Sequence, residues 1–207
     1  GGDEESEILE LLNSYKDAGI DRIVALRGDI PSGMGATRLV YARELVEFIR
    51  KHTGDHFQLE VAAYPEIHPD GKSYDADIGF LKDKLNAGAN SAITQYFFSA
   101  DSYFYFLDAC DKAGIDKPIY PGIMPITNYT NLARFSRNCG AEIPRWLSKK
   151  LEGYGDDQQS IIDFGTEFVT ELCHILMEGG APGIHFYSMN QVEPIKSIAE
   201  AVMQSHP

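Results

Sequence analysis

Short apolar runs recur along the chain at 21–29 (DRIVALRGD), 57–66 (FQLEVAAYPE), 90–98 (NSAITQYFF), 117–125 (KPIYPGIMP) and 183–190 (GIHFYSMN). Their β-branched and aromatic content predicts strands, and the segments between them space apolar residues as helices do. Strands that alternate with helices pair in parallel, because each helix carries the chain back to the same end of the sheet. The pattern therefore predicts an α/β fold built from one repeated unit.

The joints repeat as well. In DAGIDRI from 17, NAGANSAI from 86, KAGIDKPI from 112 and EGGAPGIHF from 178, a glycine falls between the helical pattern and the next apolar run. Glycine adopts the left-handed conformation without a Cβ penalty, so Gly19, Gly54, Gly88, Gly114 and Gly180 are predicted helix stops. The long gap between Gly114 and Gly180 is filled by an extra helix, 143–153 (IPRWLSKKLEG), after the one that carries Leu132 and Phe135.

Polar or unusual residues close every run: Arg27, Gly28 and Asp29; Tyr64 and Glu66; Thr94 and Gln95; Pro125; Tyr187 and Asn190. An open doubly wound sheet binds its ligand at one crevice, whereas a (β/α) barrel gathers its active site from all the carboxyl strand ends. Five such ends favour a TIM (β/α)8 barrel. The RGD at 27–29 terminates a buried strand and is not an adhesion motif. On these residues alone, Arg27 and Asp29 either face a ligand or pair with each other and cap the next helix.

Composition narrows the function. The 207 residues are 43% hydrophobic and 24% charged, enough apolar surface for a packed core. A net charge of −13 repels phosphate backbones and argues against nucleic acid. The three cysteines, Cys110, Cys139 and Cys173, form no C-x-x-C pair and are expected to be reduced and mostly buried, as in a cytoplasmic protein. No apolar run approaches a membrane span, and the acidic start GGDEESE is unlike a signal peptide. Clustered histidine and carboxylate ligands are lacking, as is a strand-end lysine for a Schiff base, which weakens a metal or aldol chemistry.

Taken together, ALRGD, YARELVEFI, VAAYPEIHPD, AGANSAITQYFF, YPGIMPITNY and GIHFYSMN, in this order and spacing, resemble the methylenetetrahydrofolate reductases over almost the whole chain. The resemblance implies a flavoprotein TIM barrel that takes electrons from NAD(P)H through FAD. It reduces 5,10-methylenetetrahydrofolate to 5-methyltetrahydrofolate, for methionine synthesis, as a homodimer or homotetramer. It assigns Arg27, Gly28, Asp29, Tyr41, Ala42, Ala62, Tyr64, His68, Asp77 and Lys84 to FAD, and Asp29, Gln95 and Phe135 to the substrate. Each type suits its task. An arginine or lysine meets a diphosphate, and a tyrosine stacks on or caps the ring system. A carboxylate and an amide pair with the N–H groups and carbonyl of a pterin edge. The charge of Asp29 makes it the catalytic candidate, tuning the flavin and favouring a cationic iminium form of the folate. On their helix, Asp77 and Lys84 share one face while Ile78, Leu81 and Leu85 form the buried stripe.

The chain departs from the family pattern in places. Phe80 and Asp83 replace a polar and a basic residue. Asn131 stands where some members have glutamine, and Gln191 where arginine is expected, so a folate glutamate tail needs another cation. The family's proton-donating glutamate, in a motif like EFFPP, has no counterpart in these residues. A full barrel needs eight strands and five are counted, so residues 1–207 are expected to carry about the last five βα units of one catalytic-barrel domain, the first three lying outside this sequence, and the alternative to an enzyme is a non-catalytic folate- or flavin-binding remnant.

Overall fold

A computed structural model describes residues 2–26, 42–66, 73–188 and 193–206. The order is α1 (Gly2–Asp17), β1 (Arg22–Ala25), α2 (Ala42–Thr53), β2 (Gln58–Ala63), α3 (Tyr74–Asn86), β3 (Ser91–Thr94), α4 (Ala100–Lys112), β4 (Ile119–Tyr120), β5 (Gly122–Ile123), α5 (Tyr129–Cys139), α6 (Arg145–Gly153), α7 (Gln158–Glu178), β6 (His185–Phe186) and α8 (Glu193–Ser205). Four strands form one sheet in the order β1-β2-β3-β4, and β5 pairs in parallel with β6. The fold is α/β with parallel strands, of the barrel type that the strand ends predict; among the described residues the strands form these two sheets and no closed ring.

Every apolar run contains a strand, and the fourth contains two. Pro121 separates β4 from β5 and brings no N–H to a ladder. Carbonyls on its two sides serve different strands: Pro118 O accepts from Ala92 N at 3.0 Å, and Pro121 O accepts from His185 N at 3.0 Å. One predicted strand is thus a switch between sheets. The predicted helix stops all have positive φ, from 58° at Gly54 to 128° at Gly88.

The chain divides into two compact units, each assembled from separated segments: Gly1–Ala62, Gly79–Ala92 and Asp116–Pro118 in the first, Ala63–Ile78, Ile93–Ile115 and Ile119–Pro207 in the second. In the first, β1 runs beside β2 in register from Arg22 opposite Gln58 to Ala25 opposite Val61. Arg50, in the last turn of α2, ties this unit together. Its guanidinium donates to Phe57 O at 2.7 Å, Gly88 O at 2.9 Å and Asn90 Oδ1 at 2.7 Å, satisfying acceptors at the strand entrances. Gly88 has no substitute here, since a Cβ would lie 2.8 Å from Arg50 Cγ on a backbone already at φ 128°.

The second unit holds most of the aromatic core. Tyr103 on α4 is buried and stacks on Phe97, with centroids 5.7 Å apart and planes at 8°, while its hydroxyl donates to Ile119 O at 2.6 Å. Helix α7 starts at Asp157, whose carboxylate accepts from Ser160 N at 3.1 Å. It buries Ile161, Val169, Leu172, Cys173 and Leu176. A Cβ at Gly165 would lie 2.6 Å from Ile126, so this helix packs on the backbone after β5. Cys110 and Cys173 are buried thiols whose pKa desolvation pushes up to about 12, consistent with inert apolar side chains. Cys139 is half-buried.

Candidate functional site

Three strand ends of the second unit are fastened by one residue. Thr94, last in β3, is fully buried; its Oγ1 accepts from Gly122 N at 2.8 Å and its carbonyl accepts from the Tyr187 hydroxyl at 2.8 Å. Gly122 must be glycine, because a Cβ would lie 2.2 Å from Thr94 O and 2.6 Å from the Tyr187 ring. Burial drives the Tyr187 phenol up to about 12, so it stays a neutral donor at physiological pH.

Gln95 follows this clasp. Its backbone N–H donates to Ala63 O at 2.8 Å, extending the strand pairing, and its side-chain oxygen accepts from Tyr96 N at 3.0 Å. With the oxygen end committed, Gln95 offers the donating NH2 end of its amide. Tyr64, Pro65 and Glu66 from the end of β2 meet Gln95, Tyr96, Gly140 and Ala141 around a small recess. The structure therefore brings Tyr64 and Gln95 together, one expected at the flavin and the other at the folate. Glu66, singled out at a strand end but given no role, joins them: its Oε2 accepts from Glu142 N at 2.6 Å. Desolvation raises its pKa; the hydrogen bond from Glu142 N opposes this, and the Glu142 charge adds to it.

A wider cleft of about 840 Å³ opens in the same unit at the carboxyl ends of β5 and β6. Met124, Pro125, Tyr187 and Ser188 come from the strand ends, and Asn128, Asn131, Leu132 and Phe135 from the start of α5. Asn128 sets the direction of α5 as its N-cap, accepting from Asn131 N at 2.9 Å. Gln158, Ile162, Asp163 and Thr166 form the α7 wall, and Glu193, Pro194 and Ser197 the α8 wall. Phe135 thus lines the cleft, while Gln95 lines the recess. The hollows adjoin across the Tyr96 and Tyr187 rings, whose centroids are 6.3 Å apart. Sequence reasoning missed the α7 wall, although the spacing of 158, 162 and 166 places those residues on one helix face.

The remaining assignments divide as follows. In the first unit the Lys84 ammonium donates to Ala62 O at 2.5 Å, joining two residues expected at the cofactor. Ala42 is buried at the start of α2, and Asp77 is half-buried on α3, where Ile78, Leu81 and Leu85 are buried as the pattern predicts. Arg27, Gly28, Asp29, Tyr41 and His68 lie outside the described residues, as do Asn190 and Gln191.

Residues 2–203 match the family model described as methylenetetrahydrofolate reductase. The chain is 41% identical over 187 residues to the 5,10-methylenetetrahydrofolate reductase of Escherichia coli (strain K12), covering 90% of this chain and 62% of that protein. It is 37% identical over 198 residues to methylenetetrahydrofolate reductase (NADH) 1 of Arabidopsis thaliana, covering 89% of this chain and 33% of that one. The chain thus spans less than two thirds of the length of these relatives. Among solved structures, a Clostridium thermocellum protein that binds two copies of 5-methyl-5,6,7,8-tetrahydrofolic acid superposes with a TM-score of 0.59 at 24% identity, over 94% of this chain and 76% of that one, a likeness of fold. With a family match over nearly every residue and relatives near 40% identity, the chain belongs to the methylenetetrahydrofolate reductase family.

Proposed function

We propose that the protein reduces 5,10-methylenetetrahydrofolate to 5-methyltetrahydrofolate with NAD(P)H, through FAD, residues 1–207 forming part of one catalytic barrel. The observation that carries this reading is the pair of adjoining hollows at strand ends, lined by Gln95, Tyr64 and Phe135, in a chain of this family. Bound FAD would supply the two-electron transfer between nicotinamide and folate. The residues present suit it. Lys84, held at Ala62 O, is a cation fit for a diphosphate, and Tyr64 is a flat ring with a polar edge.

The protein orients the partners and fixes the charge around them. Gln95 donates its NH2 to the pterin carbonyl. Phe135 packs on the benzoyl ring or on the nicotinamide. Asp29 accepts from the pterin N–H groups and favours the cationic iminium form of the substrate. Arg27, Gly28, Tyr41 and His68 complete the cofactor contacts. The same reading makes it a cytoplasmic homo-oligomer serving methionine synthesis. Among the described residues, no helix is long and apolar enough to cross a membrane.

The test is the visible spectrum of the purified full-length protein under anaerobic titration. Flavin absorbance that bleaches with NADH or NADPH and returns on adding 5,10-methylenetetrahydrofolate is expected. Bound flavin that no nicotinamide bleaches would make the protein a binding relative without turnover, and a colourless protein that binds no folate would remove the reading altogether.

A further inference from the structure

We infer that Arg134 reads the glutamate carboxylate of the folate at the rim of the cleft, an assignment that rests on the folate reading above. A folate joins a neutral pterin and benzoyl group to a glutamate that carries two negative charges at neutral pH. The described lining of the cleft suits the first part and opposes the second. Leu132, Phe135 and Ile162 are apolar, whereas Asp163 on α7 and Glu193 on α8 present carboxylates, and no lysine, arginine or histidine is among the described lining residues. An anionic tail is therefore turned away from two of the three helical walls.

The α5 wall is different. Asn131, Arg134 and Phe135 stand at i, i+3 and i+4 on that helix, on neighbouring positions of its surface. The exposed Arg134 guanidinium donates through Nη2 to Asn131 Oδ1 at 3.3 Å and lies 5.3 Å from the centroid of the Phe135 ring. Both partners line the cleft, so the cation is held at its rim by a lining amide and a lining ring. The contact with Asn131 is long and has a neutral acceptor. A carboxylate that takes both prongs of the guanidinium fork is the stronger partner, and the exchange favours the ligand. Connectivity fits, because the benzoyl group is bonded directly to the glutamate nitrogen: a ring packed on Phe135 leaves the α-carboxylate within reach of the neighbouring side chain.

The measurement is the affinity of the native full-length protein for 5-methyltetrahydrofolate and for the primary amide of 5-methyltetrahydropteroate, the same neutral ring system without glutamate or its carboxylates. The wild type is expected to prefer the folate. Arg134→Ala should weaken folate binding about three- to tenfold, the range of a partly solvated charge pair, and leave the neutral amide unchanged. Arg134→Lys should fall between, keeping the charge and losing the fork. Arg137→Ala removes the same charge one turn along α5 and should alter neither ligand. An unchanged folate affinity in Arg134→Ala, or an equal loss in Arg137→Ala, would overturn the assignment, the second by showing a general field effect. A wild type that binds the neutral amide as tightly as the folate would overturn it too, with the folate reading intact. Binding of neither compound would sink the folate reading and this inference with it.

Discussion

Strands β1 (Arg22–Ala25) and β3 (Ser91–Thr94) have the same length and meet opposite surroundings. All four residues of β3 are buried, including the polar Thr94 at 0% exposure, while Val24 in β1 is 43% exposed and Leu26 just beyond it 56%. Hydropathy predicts the reverse for a threonine and a valine. Among the described residues, β3 has a strand on either side and β1 has one. Thr94 tolerates burial because its hydroxyl and carbonyl are both partnered, by Gly122 N and by the Tyr187 hydroxyl. Position in the sheet decides burial, and hydrogen-bond partners decide which residue endures it.

The largest effect is expected where β3 meets β5. Gly122→Val adds carbon atoms where a Cβ alone would lie 2.2 Å from a backbone oxygen. A loss of roughly 3 kcal/mol or more follows, and thermal unfolding should show a Tm lowered by about 6 °C or more. An unaltered Tm would deny the close approach.

The two strands also lead into different chemistry, a charge after β1 and a neutral amide after β3. Asp29→Asn should slow folate reduction roughly 10- to 10³-fold while flavin reduction by NAD(P)H changes far less. Gln95→Ala should raise the folate KM with flavin retained. Stopped-flow analysis of the separate half-reactions checks both, and equal losses in the two halves for Asp29→Asn would end its assignment.

A reciprocal pair of swaps tests the burial argument itself. Thr94→Val keeps the shape and strands the buried Gly122 N–H, at a cost of about 1 to 3 kcal/mol in denaturant unfolding. In a protein of residues 1–207 alone, where Val24 is 43% exposed, Val24→Thr should change stability by no more than about 0.5 kcal/mol. Similar values for the two would mean that the strands share one environment.

Between them in size comes a pH effect at the end of β2. Burial raises the Glu66 pKa, so the fold favours its protonated form. The stability that this group contributes is complete below the ordinary carboxyl pKa and is lost as pH rises through the folded value. Glu66→Gln keeps an oxygen to accept from Glu142 N and has no such loss. Between about pH 4 and about pH 7 its stability should decline less than that of the wild type, and a parallel decline would place the titration elsewhere.

Much of the fold could be read along the chain because its signals are local. Each apolar run holds a strand, each predicted glycine stop has positive φ, and Ile78, Leu81 and Leu85 form the buried face of α3. The site was legible only in pieces. Tyr64, Gln95 and Phe135 were picked from their motifs, yet that Tyr64 and Gln95 share a recess with Glu66, and that Phe135 lines a different hollow, depends on pairing between distant segments. The α7 wall was missed because Gln158, Asp163 and Thr166 read as ordinary helix surface until another element faces them.

The sequence by itself determined the alternation of strand and helix, the places where helices stop and the family to which the chain belongs, since periodicity, backbone freedom at glycine and motif order are properties of neighbouring residues. Tertiary structure alone decided that Pro121 divides one apolar run between two sheets, that Thr94 is buried with both its polar groups partnered, and that the helix face carrying Asn131 and Phe135 borders a cleft whose described charged lining residues, Asp163 and Glu193, are acidic. Those outcomes turn on which distant backbone groups find partners and which surfaces lose water, and neither is fixed until the strands have assembled.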